Sequence, residues 1–167
     1  LEAGGPWHGG GDMIRSVTFE KTTYAELPGL LEAGTPHIAG AIGLGAALRW
    51  QTELGHDAVA AHEADLLSYG TELLSAIDGV RLIGTAEHKA GVLGFVLDER
   101  IGAHPSDVGM LLDQQGVAVR TGHHCAEPVM AYFGIPGTVR ASLAVYNDRS
   151  DLDALAAGVR KAINLFG

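Results

Sequence analysis

The glycines and prolines of this chain are unevenly spread, and that limits what it can fold into. Residues 1–34 are rich in both and hold one strand-like run, Ile14 to Phe19. Gly9-Gly10-Gly11 reads as a flexible turn or as a place where two backbones come close, because glycine has no Cβ to keep them apart. Past that stretch, periodic apolar segments take over. The boundary between Gly-rich arm and regular structure is expected between residues 35 and 55.

Thr35-Pro36 has the chemistry of a helix start, with threonine as N-cap and proline in the first turn. Ile38, Ile42, Ala46 and Trp50 then recur every four residues, which is a helical stripe. Gly40, Gly43 and Ala47 give the same helix a smooth face. A second helix is expected from about Asp57 to Ile77, with Val59, Leu66, Leu73 and Ile77 on one side. Val80 to Ile83 and Val92 to Leu97 read as strands around a polar turn. Pro105 to Gln115 reads as a helix ended by Gly116. Val117 to Val119 and Val139 to Val145 read as further strands. Ser150 with Asp153 resembles a capping box opening a last helix to about Leu165. The expected class is α+β, with strands packed under helices.

Composition removes several functions. A net charge of −9 argues against a nucleic-acid partner, since phosphate backbones require Lys and Arg. No run approaches the ~18 apolar residues of a membrane span. The opening Leu-Glu-Ala-Gly-Gly-Pro-Trp has no basic region before an apolar run, so no signal peptide is expected. It also lacks an initiator Met, so the chain reads as part of a longer protein. Cys125 is the one cysteine, and one cysteine forms no internal disulfide.

Arg120-Thr121-Gly122-His123-His124-Cys125-Ala126 is the segment with chemistry. It follows a strand, and strand-end loops are where reactive groups sit. A cysteine attacks as its thiolate, which nearby positive charge favours; Arg120, His123 and His124 could supply that charge. The bland alternatives are a buried, inert thiol and solvated loop histidines. No metal is expected, because His-His-Cys in direct succession chelates poorly and no second ligand cluster has metal spacing.

That run resembles the active-cysteine motif of group II (SUF-type) cysteine desulfurases. Three other segments agree with the family in order: Gly-Gly-Gly-Asp-Met-Ile at 9–14, Glu-Ala-Gly-Thr-Pro at 32–36 and Arg-Ala-Ser-Leu-Ala-Val-Tyr-Asn at 140–147. The resemblance implies pyridoxal 5'-phosphate and the fold of type I PLP-dependent transferases. Residues 1–50 would end the large domain and form a dimer-interface arm, and residues 51–167 would be the C-terminal small α+β domain. It implies conversion of L-cysteine to L-alanine, with sulfur held as a persulfide on Cys125. A SUF-system acceptor protein would collect that sulfur for iron–sulfur cluster assembly, in a cytoplasmic homodimer. By the same resemblance, Arg140 grips the substrate carboxylate. Arg120 is a second active-site arginine, and His123 and His124 belong to the substrate-binding loop. Thr35 reaches the cofactor phosphate across the dimer interface.

One departure matters. The family's Schiff-base lysine follows a histidine in a Ser-x-His-Lys signature. Here the lysines are Lys21, Lys89 and Lys161, and the only His-Lys pair, His88-Lys89, falls in a turn late in the order. The chain is therefore expected to carry half an active site and to be inactive alone. Selenocysteine lyase, cysteine sulfinate desulfinase and a non-catalytic sulfur-relay fragment stay open as alternatives.

Overall fold

The computed structural model describes residues 4–167. Leu1-Glu2-Ala3, part of the stretch without a signal-peptide pattern, lies outside them. The chain divides into two compact units, one ending at Leu54 and the other running from Gly55 to Gly167.

In the first unit, β1 (Ile14–Val17) and β2 (Thr22–Tyr24) form an antiparallel hairpin, and α1 (Ile38–Leu54) follows. The glycine run does bring backbones together. A Cβ on Gly10 would stand 2.9 Å from the Ala33 carbonyl carbon, and Gly34 N–H donates to Gly11 O at 2.8 Å. Met13 is the buried hydrophobic residue of this unit. Helix α1 begins three residues after Thr35, so Thr35 is not its N-cap. The first i→i−4 bond runs from Ala41 N–H to His37 O, so His37 occupies the capping position. The expected stripe does lie on a helix, but α1 contains no buried residue, and Ile38, Ile42 and Trp50 are exposed.

The second unit is a sheet under helices. Its elements are α2 (His56–Ser75), β3 (Val80–Ile83), β4 (Val92–Leu97), α3 (Pro105–Asp113), β5 (Arg120–Gly122), α4 (Glu127–Phe133), β6 (Thr138–Ser142) and α5 (Arg149–Phe166). The strands run in the order β3-β4-β6-β5, antiparallel throughout. Strand side chains alternate between faces. One face of β4 and β6, with Leu93, Phe95, Leu97, Val139 and Ala141, therefore meets a single layer of helices. That layer contributes Leu66 and Leu74 from α2, Val108 and Leu112 from α3, and Leu152, Leu155 and Val159 from α5. Glycines let the layers close. A Cβ on Gly70 would fall 2.6 Å from Leu93 Cδ1, and one on Gly109 would fall 2.5 Å from Thr121 Cγ2. Among the described residues, no helix is long and apolar enough to cross a membrane.

Several expectations differ, and the short strands β2 and β5 were not expected. Val117 to Val119 is not a strand: Val117 N–H closes the end of α3 on Leu112 O, and pairing with β6 begins at Arg120. Helix α4 was not expected, although Pro128 opens it and left-handed Gly134 (φ 64°) ends it. The last helix is capped by Asp148, not Ser150. The Asp148 carboxylate accepts from Ser150 N–H and Asp151 N–H, and the Asp151 carboxylate accepts from Asp148 N–H at 3.1 Å. Asp153 accepts from the Tyr69 hydroxyl instead.

Two stability outcomes follow from this packing. Phe95 is fully buried at the centre of the sheet, and Phe95→Ala is expected to cost about 3–5 kcal/mol in urea unfolding. Hydrogen bonds, led by the Ser150 hydroxyl, hold the Asp148 carboxyl below its ordinary value. A depressed carboxyl stabilises the fold above its unfolded value, and that contribution disappears as pH falls through the folded value. The stability difference between wild type and Asp148→Ala should therefore shrink below about pH 4; a difference constant to acid pH would contradict the cap.

Candidate functional site

The site is built on the sheet face away from the helices, at the edge formed by β5 and β6. The register pairs Arg120 with Arg140, Thr121 with Val139 and Gly122 with Thr138. Directly paired residues share a face. Val139 and Thr121 turn toward the helices, where Thr121 meets Gly109 of α3. Arg120 and Arg140 therefore share the opposite face. On β4, the partner of Arg140 is Gly94, so no side chain of that strand stands directly opposite it. Like charges placed opposite each other destabilise a ladder, and the arrangement is relieved by any anion that binds between them.

Gly122 leaves β5 with φ 111°, and Gly137 enters β6 with φ 155°. The backbones are so close that a Cβ on Gly137 would lie 3.1 Å from Gly122 main-chain atoms. The chain then turns through two residues in the left-handed region, His124 (φ 55°) and Cys125 (φ 58°). Only small or locally hydrogen-bonded residues adopt this region readily. The turn puts the Cys125 thiol at the surface, where Arg120 Nη2 donates toward Sγ at 3.9 Å. Ala126 N–H closes the turn on His123 O at 2.9 Å, and α4 starts at once.

His124 points inward. Its Nε2 lies 2.8 Å from Thr138 Oγ1 and 3.3 Å from Thr138 O. Among the described residues, two buried side-chain nitrogens have no partner, His124 Nδ1 and Arg140 Nε. Burial is the main force pushing the His124 pKa down; the hydrogen bond to Thr138 opposes it, and the charges of Arg140, Arg120 and His123 push the same way as burial. His123 is exposed.

The structure thus brings Arg120, His124, Cys125 and Arg140 to one sheet edge, with His123 in the same turn. Thr35 is an exposed residue of the other unit. Thr138 was not singled out from sequence, because a threonine opening a strand is ordinary; its burial at 4% exposure beneath the cysteine loop is visible only in the fold. Lys89 sits in the β3–β4 turn, where Nζ donates to Gly84 O at 3.0 Å. It lines a groove with Glu63, Leu67 and Thr71 of α2 to which the cysteine loop contributes nothing.

Residues 1–155 match the family described as aminotransferase class V. The chain belongs to that family. It is 53% identical over 161 residues to a cysteine desulfurase of Synechococcus elongatus, covering 96% of this chain and 25% of that protein. It is 48% identical over 165 residues to a probable cysteine desulfurase of Vibrio cholerae, covering 99% of this chain and 40% of that protein. Among solved structures, the S-sulfonic acid form of the cysteine desulfurase CsdA from Escherichia coli superposes with a TM-score of 0.85 at 38% identity, covering 98% of this chain and 40% of that one. The chain therefore spans a quarter to two fifths of the length of these relatives. That agrees with a C-terminal part, and the sheet-and-helix unit is the small domain of the aminotransferase class V fold.

The electrostatics of the loop can be tested directly. Arg140→Gln removes a positive charge that lowers the His124 pKa, so His124 is expected to titrate higher, closer to an ordinary histidine, when followed by NMR. An unchanged titration would mean that the Arg140 charge is not felt at the ring.

Proposed function

We propose that this chain supplies the sulfur-accepting part of a SUF-type cysteine desulfurase, with Cys125 as the acceptor. The observation that carries the proposal is the exposed Cys125 thiol, held on a left-handed turn beside Arg120, with Arg140 opposite that arginine in the sheet. Relatives of nearly half identity that bear the cysteine desulfurase name support it.

Arg140 binds the carboxylate of L-cysteine. A guanidinium forms two parallel hydrogen bonds with a carboxylate, and the buried, unpaired Nε is a donor in want of such an acceptor. Arg120 adds charge on the same face and orients the thiol. His123 and His124 complete the loop. The Cys125 sulfur forms a sulfur–sulfur bond as the carbon–sulfur bond of the substrate breaks. The electron pair left on carbon takes up a proton, giving alanine and a Cys125 persulfide. Exposure of the loop suits onward transfer to a SUF-system acceptor protein for iron–sulfur cluster assembly.

Pyridoxal 5'-phosphate, when bound, supplies the electron sink that weakens bonds to the substrate carbons. Of this chain's residues, Thr35 fits a contact to its phosphate: the hydroxyl is exposed just before α1, and the free N–H groups opening a helix favour an anion. In the proposed cytoplasmic homodimer that contact crosses the subunit interface. Lys89 does not fit the Schiff-base role, since its ammonium is engaged in a hairpin turn away from the cysteine loop.

Three outcomes test the proposal. The 167-residue chain, given pyridoxal phosphate and cysteine, should release no alanine above the free-cofactor background; enzyme-like turnover would overturn the assignment of half a site. In the intact polypeptide carrying these residues, Cys125→Ala should abolish the persulfide seen by mass spectrometry. There, Arg140→Gln should weaken cysteine binding roughly 10- to 100-fold, as expected for losing charged hydrogen bonds. A persulfide found on another residue would refute the role of Cys125.

A further inference from the structure

Thr138 is the one buried polar residue in the core of the described chain, at 4% exposure, and the cysteine loop rests on it. Its hydroxyl and its carbonyl both face the same atom, His124 Nε2, at 2.8 and 3.3 Å. A carbonyl oxygen can only accept. If Nε2 carried a lone pair, the Thr138 hydroxyl could donate to it, but the pair would also face the carbonyl oxygen, and the proton on Nδ1 would be a buried donor without a partner. If Nε2 carries the proton, it is shared between two acceptors and only an acceptor is left unpaired, which is the more readily tolerated orphan. The doubly protonated ring is disfavoured by burial and by the two arginines.

The backbone supplies a second observation. His124 and Cys125 both occupy the left-handed region, where the Cβ crowds the backbone and the conformation is disfavoured. Such a turn persists only when its surroundings hold it. The loop's own closure is the bond from Ala126 N–H to His123 O, and the turn is tied to the sheet by the short His124–Thr138 pair on β6 and by the long 3.9 Å approach of Arg120, on β5, to Cys125 Sγ.

We propose that Thr138 is a positioning residue for the cysteine: it fixes His124 as the Nε2–H tautomer and pins the left-handed His124–Cys125 turn to β6, which keeps the thiol outward beside Arg120. The ring acts as a peg in a two-acceptor socket, and its proton lies in the fold and not toward the reacting sulfur. This rests on reading Cys125 as the sulfur acceptor, but its test needs neither cofactor nor turnover.

Ring 15N spectra of the full chain at neutral pH, with the rate of Cys125 alkylation by iodoacetamide, decide the matter. Wild type should show the proton on Nε2. Thr138→Ser, which keeps both acceptors, should match wild type in tautomer and rate. Thr138→Val, which removes the shorter bond, should slow alkylation roughly five-fold, the change that losing one ordinary hydrogen bond produces. His124→Phe removes that bond and the 3.3 Å contact to the carbonyl as well, and should slow it at least as much. The double variant should then be no slower than His124→Phe alone. A proton on Nδ1 in wild type, a wild-type alkylation rate in Thr138→Val, or additive slowing in the double variant would overturn the proposal. Should neither variant fold, the wild-type tautomer alone decides. Failure of these tests leaves the persulfide assignment intact, whereas a persulfide-forming Cys125→Ala protein would refute that assignment and leave the tautomer standing.

Discussion

The antiparallel pairing of β5 with β6 is the interaction on which the site depends. It is three residues long, yet each pair does something different. Arg120 and Arg140 are set side by side on the face away from the helices. Thr121 and Val139 anchor the edge to the helical layer. Gly122 and Thr138 bring the loop's entry over the residue that receives the His124 ring. A slip of β5 by one residue would reverse its side chains, turning Arg120 toward the helices and Thr121 to the opposite face.

That pairing concentrates unfavourable features. Two guanidiniums face each other, two residues with side chains adopt left-handed backbone, and two buried nitrogens lack partners. None helps the fold by itself. They are held by a core that is well filled around Leu93, Phe95, Leu112 and Val159, and by the Gly109–Thr121 approach, which locks β5 onto α3. Strain and unpaired polarity gathered at one edge of an otherwise consistent domain are what single out that edge as the candidate site.

Much of this was legible in order and type. Apolar periodicity gave the long helices and the strands β3, β4 and β6, and the motif around Cys125 pointed to the residues now found at one edge. The errors have physical causes. Val117-Ala118-Val119 has strand-forming side chains, but Val117 N–H is used to close α3, so the ladder starts later, on Arg120-Thr121-Gly122, where only Thr121 is a strand former. The helix cap moved from Ser150 to Asp148 because the helix already starts at Arg149, where the Asp148 carboxylate takes the Ser150 and Asp151 N–H groups and Asp151 reaches back. Thr35 lost its capping role because α1 begins after His37.

The sequence by itself determined the family, the mixed α and β class, and which residue types bear the chemistry. Those depend on local patterns and on motifs spelled out in consecutive residues. Only the tertiary structure decided that Arg120 lies across from Arg140, that the Cys125 thiol is exposed beside the first of them, and that Thr138 grips His124 from 14 residues away. These are contacts between strands, and strand register is set by which faces a whole sheet can bury, a property that no short stretch of sequence contains.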